Sequence, residues 1–250
     1  MLGARRDRAA AELLVSGLRR NTYARSRIAA QLDVFDESFA DLLVPLLDDA
    51  DPATRQWGAT LLARYEDPSI QVELAALITD DDPQVRAAAI KGLARGGGRL
   101  AIPAAITALG DPVWFVRAHA ARALGRLGRT DLADEVVTLL ADERWWVRTA
   151  AKESLHEMGR GATPFVLAAL RSDDEFVSNG AAEVLQNTGV VDELVAAVAV
   201  IPHDQLAERS LRSIFAAGGH ALAKAAVSRA DPVVAERAQE LSDELAVPAA

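Results

Sequence analysis

Histidine is the side chain best suited to both metal ligation and proton transfer near neutral pH, and this chain has four: His119, His156, His203 and His220. No two stand four residues apart, the spacing that sets a metal pair on one helix face, and no His-Glu-x-x-His run occurs. The absence of cysteine excludes disulfides, thiolate metal sites, iron–sulfur clusters and a cysteine nucleophile. Gly96-Gly97-Gly98 follows no strand pattern and precedes no Lys-Ser/Thr pair, so it reads as a turn between helices and not as a phosphate loop. Serine-hydrolase elbows and kinase motifs are absent. Carboxylates are plentiful, but most lie at predicted helix starts, where capping accounts for them. The sequence thus asks for no catalytic residue, no metal and no cofactor.

The elements that hold these residues are repetitive. Asp51-Pro52-Ala53-Thr54-Arg55 is echoed by Asp82-Pro83-Gln84-Val85-Arg86, then by Asp111-Pro112 leading to Arg117 and Asp142-Glu143 leading to Arg148. Arginines at 25, 55, 86, 117 and 148 are spaced by 30, 31, 31 and 31 residues. The register continues through Ser178 and Ala207, and a degenerate last unit starts at Asp231-Pro232. Seven residues beyond each register position stands Leu32, Leu62, Leu93, Leu124, Leu155, Leu185 or Ile214. Each unit reads as two helices. The first carries leucines at helical spacing, such as Leu42, Leu43, Leu46 and Leu47. The second starts at the Asp-Pro or Asp-Glu signal, where Asp caps and Pro fits the first turn, and ends near Gly96, Gly128 or Gly159. Neither helix hides its apolar face alone, so neighbouring units must stack.

Composition agrees. Of 250 residues, 50% are hydrophobic and 25% charged, which supports a packed core. Alanine supplies about a fifth of the chain and favours helix. The expected fold is all-α, an α-solenoid of about eight two-helix units over 1–245: 5–34, 36–65, 67–95, 99–128, 130–159, 161–187, 189–216 and 219–245, followed by a tail at 246–250.

The unit Asp-Pro-x-Val-Arg-x-x-Ala-x-x-x-Leu resembles the HEAT repeat, and is most similar to the short bacterial type shared with the phycocyanobilin-lyase HEAT-like family. The resemblance covers roughly 5–245 and is strongest over 51–160; beyond 171, Ser178, Ala207 and Ala235 replace the arginine. It implies a right-handed superhelix whose second helices line the concave side. It implies an internal ladder between adjacent units, which makes Asp51, Arg55, Asp82, Arg86, Asp111, Arg117, Asp142 and Arg148 structural residues. It implies a binding scaffold more than a chemistry. His156-Glu157 is similar to one His-Glu pair of deoxyhypusine hydroxylase, a HEAT-like iron enzyme that uses several; this chain has one.

Two features carry the candidate site. Trp114-Phe115 and Trp145-Trp146 precede their arginines in adjacent units. Trp114 and Trp145 read as plugs between stacked units, which leaves Phe115 and Trp146 as the exposed members. The second helices also carry a basic stripe: Arg64, Arg95 and Arg126 nine residues past the ladder position, with Lys91 and Arg122 five past it. The next units place Glu153, Glu157 and Glu183 at matching positions. One reading is a solvated face; the other is a bipolar groove that orients an extended partner.

The expected function is a non-catalytic protein-interaction scaffold that holds a protein or peptide on its concave face, through Arg64, Lys91, Arg95, Arg122, Arg126, Phe115 and Trp146. The alternatives are a bilin lyase-like or chaperone-like subunit for chromophore attachment, or the soluble cytosolic domain of a membrane-associated protein. The basic N-terminal residues Arg5, Arg6, Arg8, Arg19 and Arg20 fit contact with an anionic membrane surface or an exposed capping helix. The net charge of −9 argues against nucleic acid. No signal peptide or membrane span is visible, and a cytoplasmic, bacterial protein is expected, with membrane association as the variant reading.

Overall fold

A computed structural model describes residues 7–20, 24–35, 37–200 and 205–216, and the single positions 228, 230, 232 and 236. Among these residues there is helix and no strand. Apart from those four single positions the eighth expected unit lies outside the described residues, as do the tail, Arg5, Arg6, His203 and His220.

The helices group into two compact units, Met1–Leu127 and Gly128–Ala250. The first holds α1 (Arg8–Arg20), α2 (Arg25–Leu32), α3 (Ala40–Leu43), α4 (Pro52–Leu62), α5 (Pro68–Ala76), α6 (Pro83–Gly96), α7 (Ala101–Leu109) and α8 (Trp114–Arg126). The second holds α9 (Ala133–Thr138), α10 (Trp145–Met158), α11 (Thr163–Ala169), α12 (Glu175–Asn187), α13 (Val190–Val200) and α14 (Gln205–Ala216). In unit 1, α4, α6 and α8 pack in a row, with α5 and α7 against their own second helices. In unit 2, α10 packs on α12 while α9 packs on α11.

The seven register residues from Leu32 to Ile214 are all buried. Each sits seven residues past the ladder position, on the helix face that meets its partners, so one apolar side chain per repeat recurs in the core. Small residues let the second helices close up. A Cβ on Gly92 would stand 3.1 Å from Cβ of Ala63 and 3.1 Å from Cδ1 of Leu74. A Cβ on Gly58 would stand 2.8 Å from Cβ of fully buried Leu46.

Helix starts follow two designs, where the sequence reading expects one. Asp51, Asp82 and Asp174 are true N-caps: their carboxylates accept N–H groups of the first turn, such as Gln84 and Val85 for Asp82. Asp111 and Asp142 are not caps. The caps of α8 and α10 are Val113 and Arg144, and each Asp accepts the backbone N–H of that residue, at 2.8 and 2.9 Å. Helix ends also differ by one residue in α6. Gly97, and not Gly96, takes the left-handed conformation, with φ 62°.

Candidate functional site

The arginines build the repeat junctions. Four of them donate through Nη1 to two carbonyls of the turn before their own helix: Arg55 to Asp49 and Ala50 at 2.9 and 3.3 Å, Arg86 to Asp80 and Asp81 at 2.8 and 3.2 Å, Arg117 to Asp111 and Pro112 at 2.8 and 3.3 Å, Arg148 to Asp142 and Glu143 at 2.7 and 3.3 Å. Inside unit 1 the opposite edge of the guanidinium reaches the next repeat. Arg55 donates Nε and Nη2 to Asp80, both at 2.8 Å, and Arg86 donates the same pair to Asp111 at 2.7 and 2.9 Å. The acceptor is thus the Asp six residues before an arginine. Asp82, which the sequence reading sets in the ladder, caps α6 instead. Arg25 bonds Asp51 and Thr54.

These carboxylates are almost fully covered. Burial raises the pKa of Asp80 and Asp111, but hydrogen bonds from Arg55 and Arg86, the backbone N–H groups of Asp82 and Val113, and nearby guanidinium charge outweigh it. Both carboxyls titrate below the usual Asp value.

The basic stripe resolves into four cations and one exception. Lys91 and Arg95 on α6, with His119, Arg122 and Arg126 on α8, line a cleft of 360 Å³ whose floor is Thr60, Ala63, Ala88, Gly92, Ala94 and Ala123. Lys91, Arg95 and Arg126 are exposed and form no ion pair among the described residues. Arg64 does not line the cleft. It pairs with Asp33 at 2.7 Å, donates to the carbonyls of Leu32 and Phe35 and to the Tyr65 hydroxyl, and stacks 4.7 Å from the Tyr65 ring centroid. With 13% of its side chain exposed, Arg64 is a packing residue, and the reading of it as a partner contact is corrected. His119, which sequence reasoning passes over, sits inside the cleft. Burial first, then the charges of Lys91 and Arg122, push its pKa down to about 4. It is neutral at pH 7, so the cleft's charge there comes from Lys and Arg.

The aromatic expectation is corrected in part. Trp145 does not plug a gap: it is 54% exposed, as is Trp146 at 56%, and the two rings meet edge to face at 4.6 Å. Trp114 is at the margin of exposure, and Phe115 is half-buried beside it. Neither Phe115 nor Trp146 lines the basic cleft. A third aromatic escaped notice. Phe176, exposed, occupies the register of Phe115 and Trp146, two residues before Ser178 where the arginine is lost. The guanidinium of Arg148 lies 4.2 Å from its ring centroid. Counting from the arginine hid Phe176; counting from the register would have found it.

The N-terminal arginines are partly committed. Arg8 pairs with Glu12 and Asp41, and Arg19 pairs with Asp49 at 3.2 Å and donates to the Pro45 carbonyl at 2.7 Å. Among the described residues no helix is long and apolar enough to cross a membrane, and no group of three or more His, Cys, Asp or Glu is placed to hold a metal.

Paired helices that recur every 31 residues, closed by an arginine rung, define an α-helical repeat protein. The family model described as HEAT repeats matches residues 40–116, 70–156 and 102–186, which together span more than half of the chain. The chain belongs to the HEAT-repeat family. No curated protein matches it. Among solved structures, YibA of E. coli is similar at 16% identity and TM-score 0.55, covering 92% of this chain and 91% of that one. The complex of CpcE and CpcF of phycocyanin lyase from Nostoc sp. PCC7120 is similar at 22% identity and TM-score 0.48, covering 82% and 94%. Human deoxyhypusine hydroxylase is similar at 17% identity and TM-score 0.40, covering 95% and 97%. At these identities the YibA likeness bears on the fold alone.

Proposed function

We propose that the protein is a non-catalytic scaffold that holds an acidic segment of a protein partner against the second helices of unit 1, the helices that the family resemblance sets on the concave side. The carrying observation is that Lys91, Arg95 and Arg126 converge on one 360 Å³ cleft with no carboxylate of the described residues to neutralise them. The junction arginines Arg25, Arg55 and Arg86, by contrast, each meet a carboxylate of the chain. Unpaired cations over an alanine and glycine floor suit an extended chain, because the floor admits backbone while the rim supplies charge. The cleft lies within the roughly 300–1,000 Å³ range of ligand sites, although a segment longer than a few residues would extend beyond it.

The test uses a fluorescent peptide rich in Asp and Glu. Wild-type protein should bind it with an affinity that falls as salt is raised, since the contacts are exposed and screened. Reversing charge with Arg95→Glu and Arg126→Glu should weaken binding at least tenfold, with helicity and melting temperature nearly unchanged. Undiminished binding by the reversed variant would remove the cleft as the site.

A further inference from the structure

Unit 2 contains the arginine junction in an unfinished form. Five turns of the chain share one pattern, in which an oxygen-bearing side chain two residues before the helix cap accepts the cap residue's N–H. Asp49, Asp80, Asp111 and Asp142 do this for Asp51, Asp82, Val113 and Arg144 at 3.0, 2.9, 2.8 and 2.9 Å. In front of α12 the position is Ser172, whose Oγ accepts from the N–H of Asp174 at 3.2 Å. The serine reproduces the local bond. It cannot reproduce the second duty that Asp80 and Asp111 perform, which is to take both N–H groups of the preceding repeat's arginine.

The arginine concerned is Arg148. Its Nη1 is held by the carbonyls of Asp142 and Glu143, as in its counterparts. Its Nε and Nη2, the edge that Arg55 and Arg86 give to a carboxylate, meet no carboxylate among the described residues. Asp173, next to Ser172, is exposed and does not pair with it. The half-buried guanidinium instead lies against Phe176 and lines a cleft of 170 Å³ with Leu140, Trp145, Asn179 and Gly180. Lys152 and Glu183 close the rim, joined to each other at 2.5 Å, so their charges offset. What remains is one cationic fork against the Phe176 ring, in a cleft that exposed Trp145 also lines.

We infer that this cleft binds a single carboxylate flanked by an apolar side chain, held through the Nε/Nη2 edge of Arg148 where the repeat elsewhere supplies its own Asp. The fork is already oriented by its two carbonyls and by the Phe176 ring, so little freedom is lost when two parallel N–H···O bonds form. Trp145 and Phe176 offer rigid faces for the neighbouring apolar group. The volume is below the roughly 300 Å³ of an ordinary small-molecule site, which limits the occupant to one side chain or chain end. Two sources carry this chemistry: the C-terminus of a peptide that ends in an apolar residue, and an Asp or Glu beside one. The inference does not depend on the basic cleft of unit 1.

The experiment titrates the full-length protein with three labelled pentapeptides: one ending in Leu-Phe with a free carboxylate, its C-terminal amide, and an amidated peptide with an internal Asp-Phe pair. Either carboxylate-bearing peptide should bind at least tenfold more tightly than the amide, and which one does so identifies the source. Ser172→Asp should abolish the preference by restoring the internal acceptor, and Arg148→Lys should reduce it about tenfold by removing the fork while keeping the charge. The Arg95→Glu, Arg126→Glu variant should bind like wild type, which separates this site from that of unit 1. Equal binding of all three peptides, or a preference that survives Ser172→Asp, would overturn the inference. Ser172→Asp keeps the test decisive should Arg148→Lys fold poorly.

Discussion

Arg86 and Arg148 hold the same place in two repeats and meet different ends. Both grip two carbonyls of their own helix start. Arg86 spends its other edge on Asp111, so its junction is saturated, while Arg148 finds a serine where that Asp would stand and turns to an aromatic ring. The units differ in charge in the same sense. Residues 1–127 carry 16 Lys and Arg against 16 Asp and Glu, and residues 128–250 carry 11 against 20. Unit 1 closes its junction arginines Arg55 and Arg86 inside and leaves Lys91, Arg95 and Arg126 at the rim of a cleft. Unit 2 is acidic and leaves its junction arginine, Arg148, without a carboxylate among the described residues. The same repeat thus yields stability where its rung is complete and a binding group where it is not.

The largest expected effect breaks that contrast directly. Arg86→Ala strands the covered carboxylate of Asp111 and should cost about 3 kcal/mol, read as a lower urea midpoint. Arg148→Ala strands nothing and should cost about 1 kcal/mol, the worth of hydrogen bonds to carbonyls and one ring contact. Equal losses would show that the Asp rung contributes nothing of its own. Ser172→Asp should raise stability by about 1 kcal/mol, read as a higher urea midpoint, the value of a new charge-assisted pair less its desolvation.

A smaller effect is set by pH. His119 takes its proton at about 4 in the folded protein and near 6.5 when unfolded. Between those values the unfolded chain binds a proton that the folded one refuses, so stability falls as pH drops from 6.5 towards 4 and is level above 6.5. His119→Gln should lose less stability than wild type between pH 7 and pH 5. If the two lose the same amount, the histidine is not held neutral. The smallest effect concerns Gln71 on α5, which is buried beside Gly96 and Gly98 with neither its Oε1 nor its Nε2 hydrogen-bonded to a described residue. Gln71→Met keeps the volume and removes the uncompensated amide, and should raise stability by up to about 1 kcal/mol.

The fold is legible because a 31-residue period repeats its Asp-Pro signal, its arginine and its leucine. The site was only half legible. Spacing placed Lys91, Arg95, Arg122 and Arg126 on one helix face, and they do share a cleft. The same spacing included Arg64, because position on a helix does not say whether Asp33 and the carbonyls of Leu32 and Phe35 stand within reach. Asp82 shares its motif with Asp111 and Asp142, but one letter serves two tasks, capping a helix and accepting an arginine: Asp82 only caps, Asp111 accepts Arg86, and Asp51 does both. Trp145 reads as a plug because it stands in the turn between helices, where stacked units leave a gap; its exposure follows from standing first in α10, where Val147 and Ala150 face the core. Ser172 and Phe176 matter only as departures from the repeat, so the repeat itself does not point to them.

The central claim is that acidic partners meet unit 1 at the cations of α6 and α8. Its most direct measurement is residue-resolved NMR of the ¹⁵N-labelled protein during titration with the Asp- and Glu-rich peptide. The account predicts shifts concentrated around Lys91, Arg95, His119 and Arg126, diminishing with added salt, with α10 and α12 unmoved. Shifts centred on unit 2, or spread evenly over both units, would contradict it.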